Sequence, residues 1–463
     1  MTPSRFVPLG CCLALLLAAG RAGAQAEPGT ETPPPPPPPP TTPPTPTPPV
    51  VEAPPPPPPT PPVVQTFEPA DVTGPKAGEG GPVSTEPAKT PAGVHPLTMD
   101  EMPVAASNNR VTLNMFGDTA FVVDNVPAPG QNRGFLIGDL DLLITGRAAN
   151  LTALAEAALE QRGGGTVGID LERIFVGWRG ERVSVDAGRS HVELGYWNNA
   201  FHHGRWLQIT AERPRILKFE DEGGILPIHF IGTTAHWRPY ISGDQQIELI
   251  GGVGNGRGDF TDDVQETAET NWFKAVLAKL AFKGFGARDL QFGVSGLVDR
   301  IAGRPGADPM MTGVFIRPAL PDQNIQEMIG NVYLAYRGAQ LTVISEAFDI
   351  LHTAAMPDVN GVSHWNTFDA YALGAYRIGD FTPYLMGEIR RTSSVDDPFY
   401  FPGNPAIFDD VTANIFRNFE EVTAGVRWDL TTWSAIKLEY RATWMQTQGT
   451  LEQRGMIDWS FGL

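Results

Sequence analysis

From Arg110 to the last residue, apolar and polar positions alternate in segments of about 10–14 residues, separated by turn residues. Within 422–430, Val422, Ala424, Val426, Trp428 and Leu430 fall on one face, and Thr423, Gly425, Arg427 and Asp429 on the other. Within 436–444, Ile436, Leu438, Tyr440, Ala442 and Trp444 oppose Lys437, Glu439, Arg441 and Thr443. The last segment sets Ile457, Trp459, Phe461 and Leu463 against Asp458 and Ser460. Successive side chains of a strand point to opposite faces, so each segment predicts a strand with one apolar and one polar face. Sixteen strands are predicted, at 110–124, 134–147, 150–161, 165–178, 181–189, 226–238, 244–254, 270–284, 288–302, 326–337, 340–352, 365–378, 381–394, 418–431, 434–448 and 454–463.

The connections carry a second signal. Links after even-numbered strands are tight, while 190–225, 255–269, 303–325, 353–364 and 395–417 are long; 162–164 is a short exception. Short turns at one end and long loops at the other are the rhythm of a transmembrane β-barrel. Aromatic residues at strand ends fit the two membrane interfaces. Lipid offers no hydrogen bonds, so a spanning sheet must close on itself. The expected fold is therefore all-β: a transmembrane antiparallel β-barrel of about 16 strands, wide enough for a watery lumen. An even count puts both barrel ends on the short-turn side.

The residues before the barrel differ in kind. Arg5, the apolar run Phe6 to Leu17, and the small-x-small sites Ala22-Gly23-Ala24 and Ala24-Gln25-Ala26 predict a cleaved signal peptide over 1–26. A retained anchor is the bland alternative. A lipid-bearing Cys11 is disfavoured because the apolar run continues past it. Residues 27–63 hold the unbroken runs Pro33 to Pro40 and Pro54 to Pro59. Proline lacks an N–H and fixes φ, so this segment is expected as an extended, disordered spacer. Residues 64–108, polar and without periodicity, are expected as a disordered linker. The barrel is expected over 110–463.

Charge and cysteine content remove several functions. The formal net charge is −18, which argues against nucleic-acid binding. Cys11 and Cys12 are the only cysteines, both within the signal, so the mature chain offers no disulfide, thiolate metal site or cysteine nucleophile. No cofactor or metal site is expected. His202-His203 are adjacent and would point apart, and with His229 they read as ordinary surface histidines. Gly251 to Gly256 lacks the helix that a dinucleotide fingerprint requires, and is expected as a glycine-rich loop. Asp259, Asp262 and Asp263 lack calcium-loop spacing. Gly293-Val294-Ser295-Gly296 is one residue short of a nucleophile elbow.

The longest link, 190–225, is the third on its end of the barrel and is rich in aromatic and charged residues. Were it to enter the lumen, Arg205, Arg213, Arg215 and Lys218 would face Glu220, Asp221 and Glu222 across a narrow passage and bias the ions that pass. The plainer alternative is a solvated lid. Polar-face positions on the strands add the acids Asp139, Asp141, Glu156, Glu160, Asp186, Glu346, Glu388, Glu439 and Asp458. They also add the bases Arg147, Arg390, Arg427, Lys437 and Arg441. The balance is acidic, which favours cations.

In strand number, loop rhythm and the place of this loop, residues 110–463 resemble general and phosphate-selective bacterial porins. The aromatic residue that ends such chains is represented by Phe461, with Leu463 last, and no ordered ladder of arginine and lysine is present. The resemblance implies an outer-membrane protein in contact with lipid. It also implies passive diffusion of small hydrophilic solutes or ions, a third loop that narrows the lumen, and a homotrimer. The proline-rich tail would then lie in the periplasm. A second reading is a non-conducting outer-membrane binding or structural barrel. In it the long loops hold a ligand and the tail contacts the cell wall. A barrel-rim hydrolase is third and requires a Ser/His/acid or paired-acid cluster.

Overall fold

The computed structural model describes residues 110–125, 134–162, 166–201, 204–219, 224–242, 244–257, 272–301, 325–356, 361–392, 418–446 and 449–463. The segments 1–26, 27–63 and 64–108 lie outside the described residues, as do His202, His203, Glu220, Asp221, Glu222, Asp259, Asp262 and Asp263.

The strands are β1 (Arg110–Asp124), β2 (Gly134–Ala148), β3 (Leu151–Arg162), β4 (Thr166–Arg179), β5 (Val183–His191) and β6 (His229–Trp237). They continue with β7 (Tyr240–Ser242), β8 (Gln245–Gly254), β9 (Ala275–Lys283), β10 (Leu290–Ile301), β11 (Ile325–Arg337) and β12 (Leu341–Met356). The last five are β13 (Gly361–Tyr376), β14 (Phe381–Thr392), β15 (Phe419–Thr431), β16 (Ser434–Met445) and β17 (Thr450–Gly462). The short β7 continues β6, since both pair with β8, so the barrel has sixteen staves. Each stave pairs antiparallel with the staves next to it in the chain, and β1 pairs with both β2 and β17, which closes the ring.

The pleat sorts the residues as the alternation predicts. On β11, Met328, Val332 and Leu334 are exposed, while Glu327, Asn331 and Tyr333 between them are buried. On β16, Leu438, Tyr440 and Trp444 face out, while Lys437, Glu439 and Arg441 are buried. Exposed aliphatic residues such as Val294, Val332, Leu385 and Leu438 form an outer apolar band. Trp178, Trp237, Tyr376, Trp428, Trp433 and Trp459 ring its short-turn end, and Phe121, Phe135 and Trp444 mark the other. Aromatic residues at these two levels are what a membrane-spanning barrel needs.

Turn chemistry sets the tight end. Gly284, after β9, has φ +74°, and a Cβ there would lie 2.3 Å from the Asp244 carbonyl oxygen, so only glycine fits. The expected glycine-rich loop at 251–256 is corrected: Gly251 to Gly254 belong to β8, and the chain leaves the sheet only at Asn255. Glycine is tolerated there because pairing on both sides, with β6 and β9, holds the backbone.

Candidate functional site

The long connection between β5 and β6 runs over 192–228, a little later than the expected 190–225, because Ser190 and His191 still pair with β6. Its two ends are tied together. The Val192 N–H donates to the Ile228 carbonyl at 2.9 Å, and Asn198 Nδ2 donates to the carbonyls of Val192 and Ile228 at 3.1 Å each. Between them lie three single turns: α1 (Trp197–Ala200), α2 (Gly204–Leu207) and a 3-10 turn at Arg215–Leu217. The loop bonds to residues of β1, β9, β10, β12, β14, β15, β16 and β17. A single segment that reaches strands so far round a closed barrel can do so only from inside.

One side of the loop is apolar. Leu194, Trp197, Phe201, Ile216, Leu217 and Ile225 form one core with inward residues of β8 to β14, among them Ile250, Ile329, Phe348, Tyr371 and Met386. Trp197, at 1% exposure, packs against Phe201 with ring centroids 4.7 Å apart and edge-on against Tyr371 at 5.8 Å. Each buried large side chain contributes roughly 1.5–3 kcal/mol, so this core fixes the loop against that half of the wall.

Wall carboxylates fix its backbone. Glu346 on β12 accepts the N–H of Tyr196 on Oε2 and of Trp197 on Oε1, both at 2.8 Å. Glu388 on β14 accepts the N–H of Arg215 and of Ile216 in the same two-oxygen manner, both at 2.8 Å. Glu439 on β16 accepts the Ala211 N–H at 2.8 Å, and Ser295 on β10 accepts the Gly195 N–H at 2.9 Å. Gly195 is required here: its φ is +71°, and a Cβ would lie 2.0 Å from Glu346 Oε2.

The other side of the loop is charged. Arg205 bonds Asp118 at 2.9 Å and lies 3.8 Å from Asp458, which also holds the fully buried Lys437 at 3.3 Å. The Lys437 ammonium donates to the Arg205 carbonyl. Arg427 donates to the Gln208 carbonyl at 2.8 Å and bonds Asp429 at 2.7 Å. Arg441 bridges Glu421 at 3.1 Å and Glu439 at 3.3 Å, and Arg454 holds Glu212 at 2.9 Å. Arg215 bonds Glu421 at 2.5 Å and Thr443 at 2.9 Å. Burial disfavours the Arg205 charge, but Asp118 and Asp458 beside it raise its pKa above the ordinary arginine value. Burial likewise pushes the Glu212 carboxyl up, and the cations Arg454 and Arg441, with Lys218 and Arg205 behind them, outweigh it and hold the group well below the usual carboxylate range.

The residues singled out from sequence thus fall in distinct places. Arg205 and Arg215 are bound to wall carboxylates. Arg213 stacks over Phe219 at 3.7 Å and donates to the Leu217 carbonyl at 2.9 Å, which pins the loop to itself. Lys218 follows the 3-10 turn, half-buried. Arg427, Glu439 and Arg441 hold the loop from the wall. Asp139, Asp141 and Glu156 lie on β2 and β3, next to the β1 stave that carries Asp118, with Asp139 half-buried and Glu156 paired with Arg173 at 2.7 Å. The side chain of Glu160 lies outside those described. Sequence reasoning did not find Asp118, Gly195, Ser295 or Glu421. Asp118 and Ser295 do sit on polar strand faces, but nothing local marks Gly195 or the backbone N–H groups that Glu346 and Glu388 accept.

No family model and no curated protein matches the chain. Among solved structures it is similar to the outer membrane channel DcaP of Acinetobacter baumannii, at 9% identity and TM-score 0.49, covering 77% of this chain and 97% of that one. It is also similar to an anion-selective porin from Comamonas acidovorans, at 13% identity and TM-score 0.49, covering 77% and 100%. A third is OmpT of Vibrio cholerae, at 10% identity and TM-score 0.47, covering 78% and 100%. The chain itself is a closed barrel of sixteen antiparallel staves.

Proposed function

We propose that this chain is an outer-membrane diffusion pore for small hydrophilic solutes or ions, narrowed by the 192–228 loop. The observation that carries this reading is the loop itself, held inside the barrel by bonds to wall residues from β9 round to β1. A bore left between such a loop and a charged wall passes solutes by size and biases ions by field. Asp139, half-buried on β2, favours cations, while Arg205 and Arg215 are neutralised by wall acids and Glu156 by Arg173. Export through the 1–26 leader, a periplasmic proline-rich segment and a homotrimer in outer-membrane lipid belong to the same reading. The test is insertion of folded protein into a planar bilayer under a salt gradient. Discrete current steps with a reversal potential of cation sign are expected; silent membranes, with folding verified by heat-dependent gel mobility, would overturn the reading.

One observation favours a second reading. The apolar core between the loop and β8 to β14 fills that half of the lumen as a protein interior would. A barrel so filled throughout would serve as a binding or structural protein of the outer membrane, and silent bilayers are the result it expects.

A further inference from the structure

Two turns of the loop, which bury Trp197 and Asn198 in one and Ile216 and Leu217 in the other, have no side-chain caps of their own. The N-cap of α1 is Tyr196 and that of the 3-10 turn is Pro214, and neither makes a side-chain capping bond. The first N–H groups of any helical turn lack partners within it and, when buried, must find an acceptor. Here the acceptor comes from the barrel. Glu346 spans the N–H groups of Tyr196 and Trp197, and Glu388 spans those of Arg215 and Ile216, one oxygen per donor. The two sites are on different strands, two staves apart, and repeat the same geometry.

We infer that Glu346 and Glu388 are the positioning residues of the constriction, each capping one turn of the loop in trans and together setting its distance from the wall. The inference rests on the diffusion-pore reading for its consequence in current, but not for the geometry. The Glu346 cap is itself braced. The Tyr371 hydroxyl donates to Glu346 at 2.5 Å and Asn331 Nδ2 donates to it at 3.3 Å. Gly195 leaves the space through which Glu346 reaches the backbone. A carboxylate suits the task because both oxygens only accept. The amide of glutamine turns one acceptor into a donor that faces an N–H, so one of the two bonds is lost.

The experiment compares the full chain with Glu346→Gln and Glu388→Gln in lipid, by residue-resolved amide hydrogen exchange and single-channel recording. Heat-dependent gel mobility reports the fold. In Glu346→Gln, exchange at Tyr196 and Trp197 should quicken by about tenfold or more, as expected for loss of a charge-assisted bond, while Arg215 and Ile216 stay protected. Glu388→Gln should show the reverse. Each variant should carry current that switches among levels where the parent is steady. Glu→Asp at either site, which keeps the charge and shortens the reach, should restore part of the protection; it also replaces a glutamine variant that fails to fold. Unchanged exchange at both turns in folded variants would overturn the inference. A silent parent protein would overturn the pore reading and leave the exchange pattern to decide the capping role alone.

Discussion

At the scale of single residues, the lumen is a set of buried charges whose partners are specific, so removal of one member should cost more than a surface pair does. Arg441 touches Glu421 and Glu439 and reaches the Arg213 carbonyl. Arg441→Ala should destabilise the folded barrel by roughly 3–5 kcal/mol, since it leaves Glu439 buried without its cation and Glu421 with Arg215 alone; the shift in urea midpoint for refolding into lipid vesicles reads this out. Glu212 behaves differently with pH. Its folded pKa is depressed by Arg454 and Arg441, so its contribution is complete above the unfolded value of about 4.3 and fades only as pH falls below that. Glu212→Gln should therefore lower stability by the same amount at pH 7 and pH 6, with the gap from the parent closing only below about pH 4. A gap that closes near neutrality would contradict the ion pairs drawn for this carboxylate.

Elements show how far a one-dimensional pattern reaches. All sixteen staves were legible because an outer face in contact with lipid must be apolar at every second position, and Val422, Trp428, Leu438 and Ile457 obey this on the last three strands. Accordingly, Val332→Arg, midway along β11 on the outer face at 54% exposure, should cost about 2–4 kcal/mol in lipid. An effect below 1 kcal/mol would place that face outside the membrane's apolar band. The inward face of β8 to β14 was less legible. Ile344, Phe348 and Ile350 are buried on β12 on the same face as Glu346 and His352, so that face reads as neither a wet lumen nor a lipid surface. Its partner is the loop, which is distant in sequence and without periodicity. The loop's charged residues could be named from composition, and its entry into the lumen could be argued from length. Which wall group each would meet could not, because Glu346 and Glu388 bind backbone N–H groups, which every residue but proline possesses. Trp197→Ala tests the apolar attachment. It removes a large ring from that core, and the current should become larger or unsteady while the heat-shifted gel band persists.

For the whole molecule, the closed sheet and the inward loop have separate duties. The sheet satisfies its own backbone in lipid and needs no loop for that, since β1 pairs with β17 by register over Phe116 to Asp124. On the proposed reading the loop turns a wide cylinder into a selective one; its apolar side packs against β8 to β14 and its charged side pairs with β1 and β15 to β17. On the same reading, Asp139 on β2 biases the passage toward cations. The most direct test is single-channel conductance of the intact chain beside a version in which a short Gly-Ser linker replaces residues 195–226. The proposed pore predicts discrete steps from both, with markedly larger steps and weaker ion preference once the loop is gone. Equal steps from the two, or silence from both with the barrels folded, would contradict it.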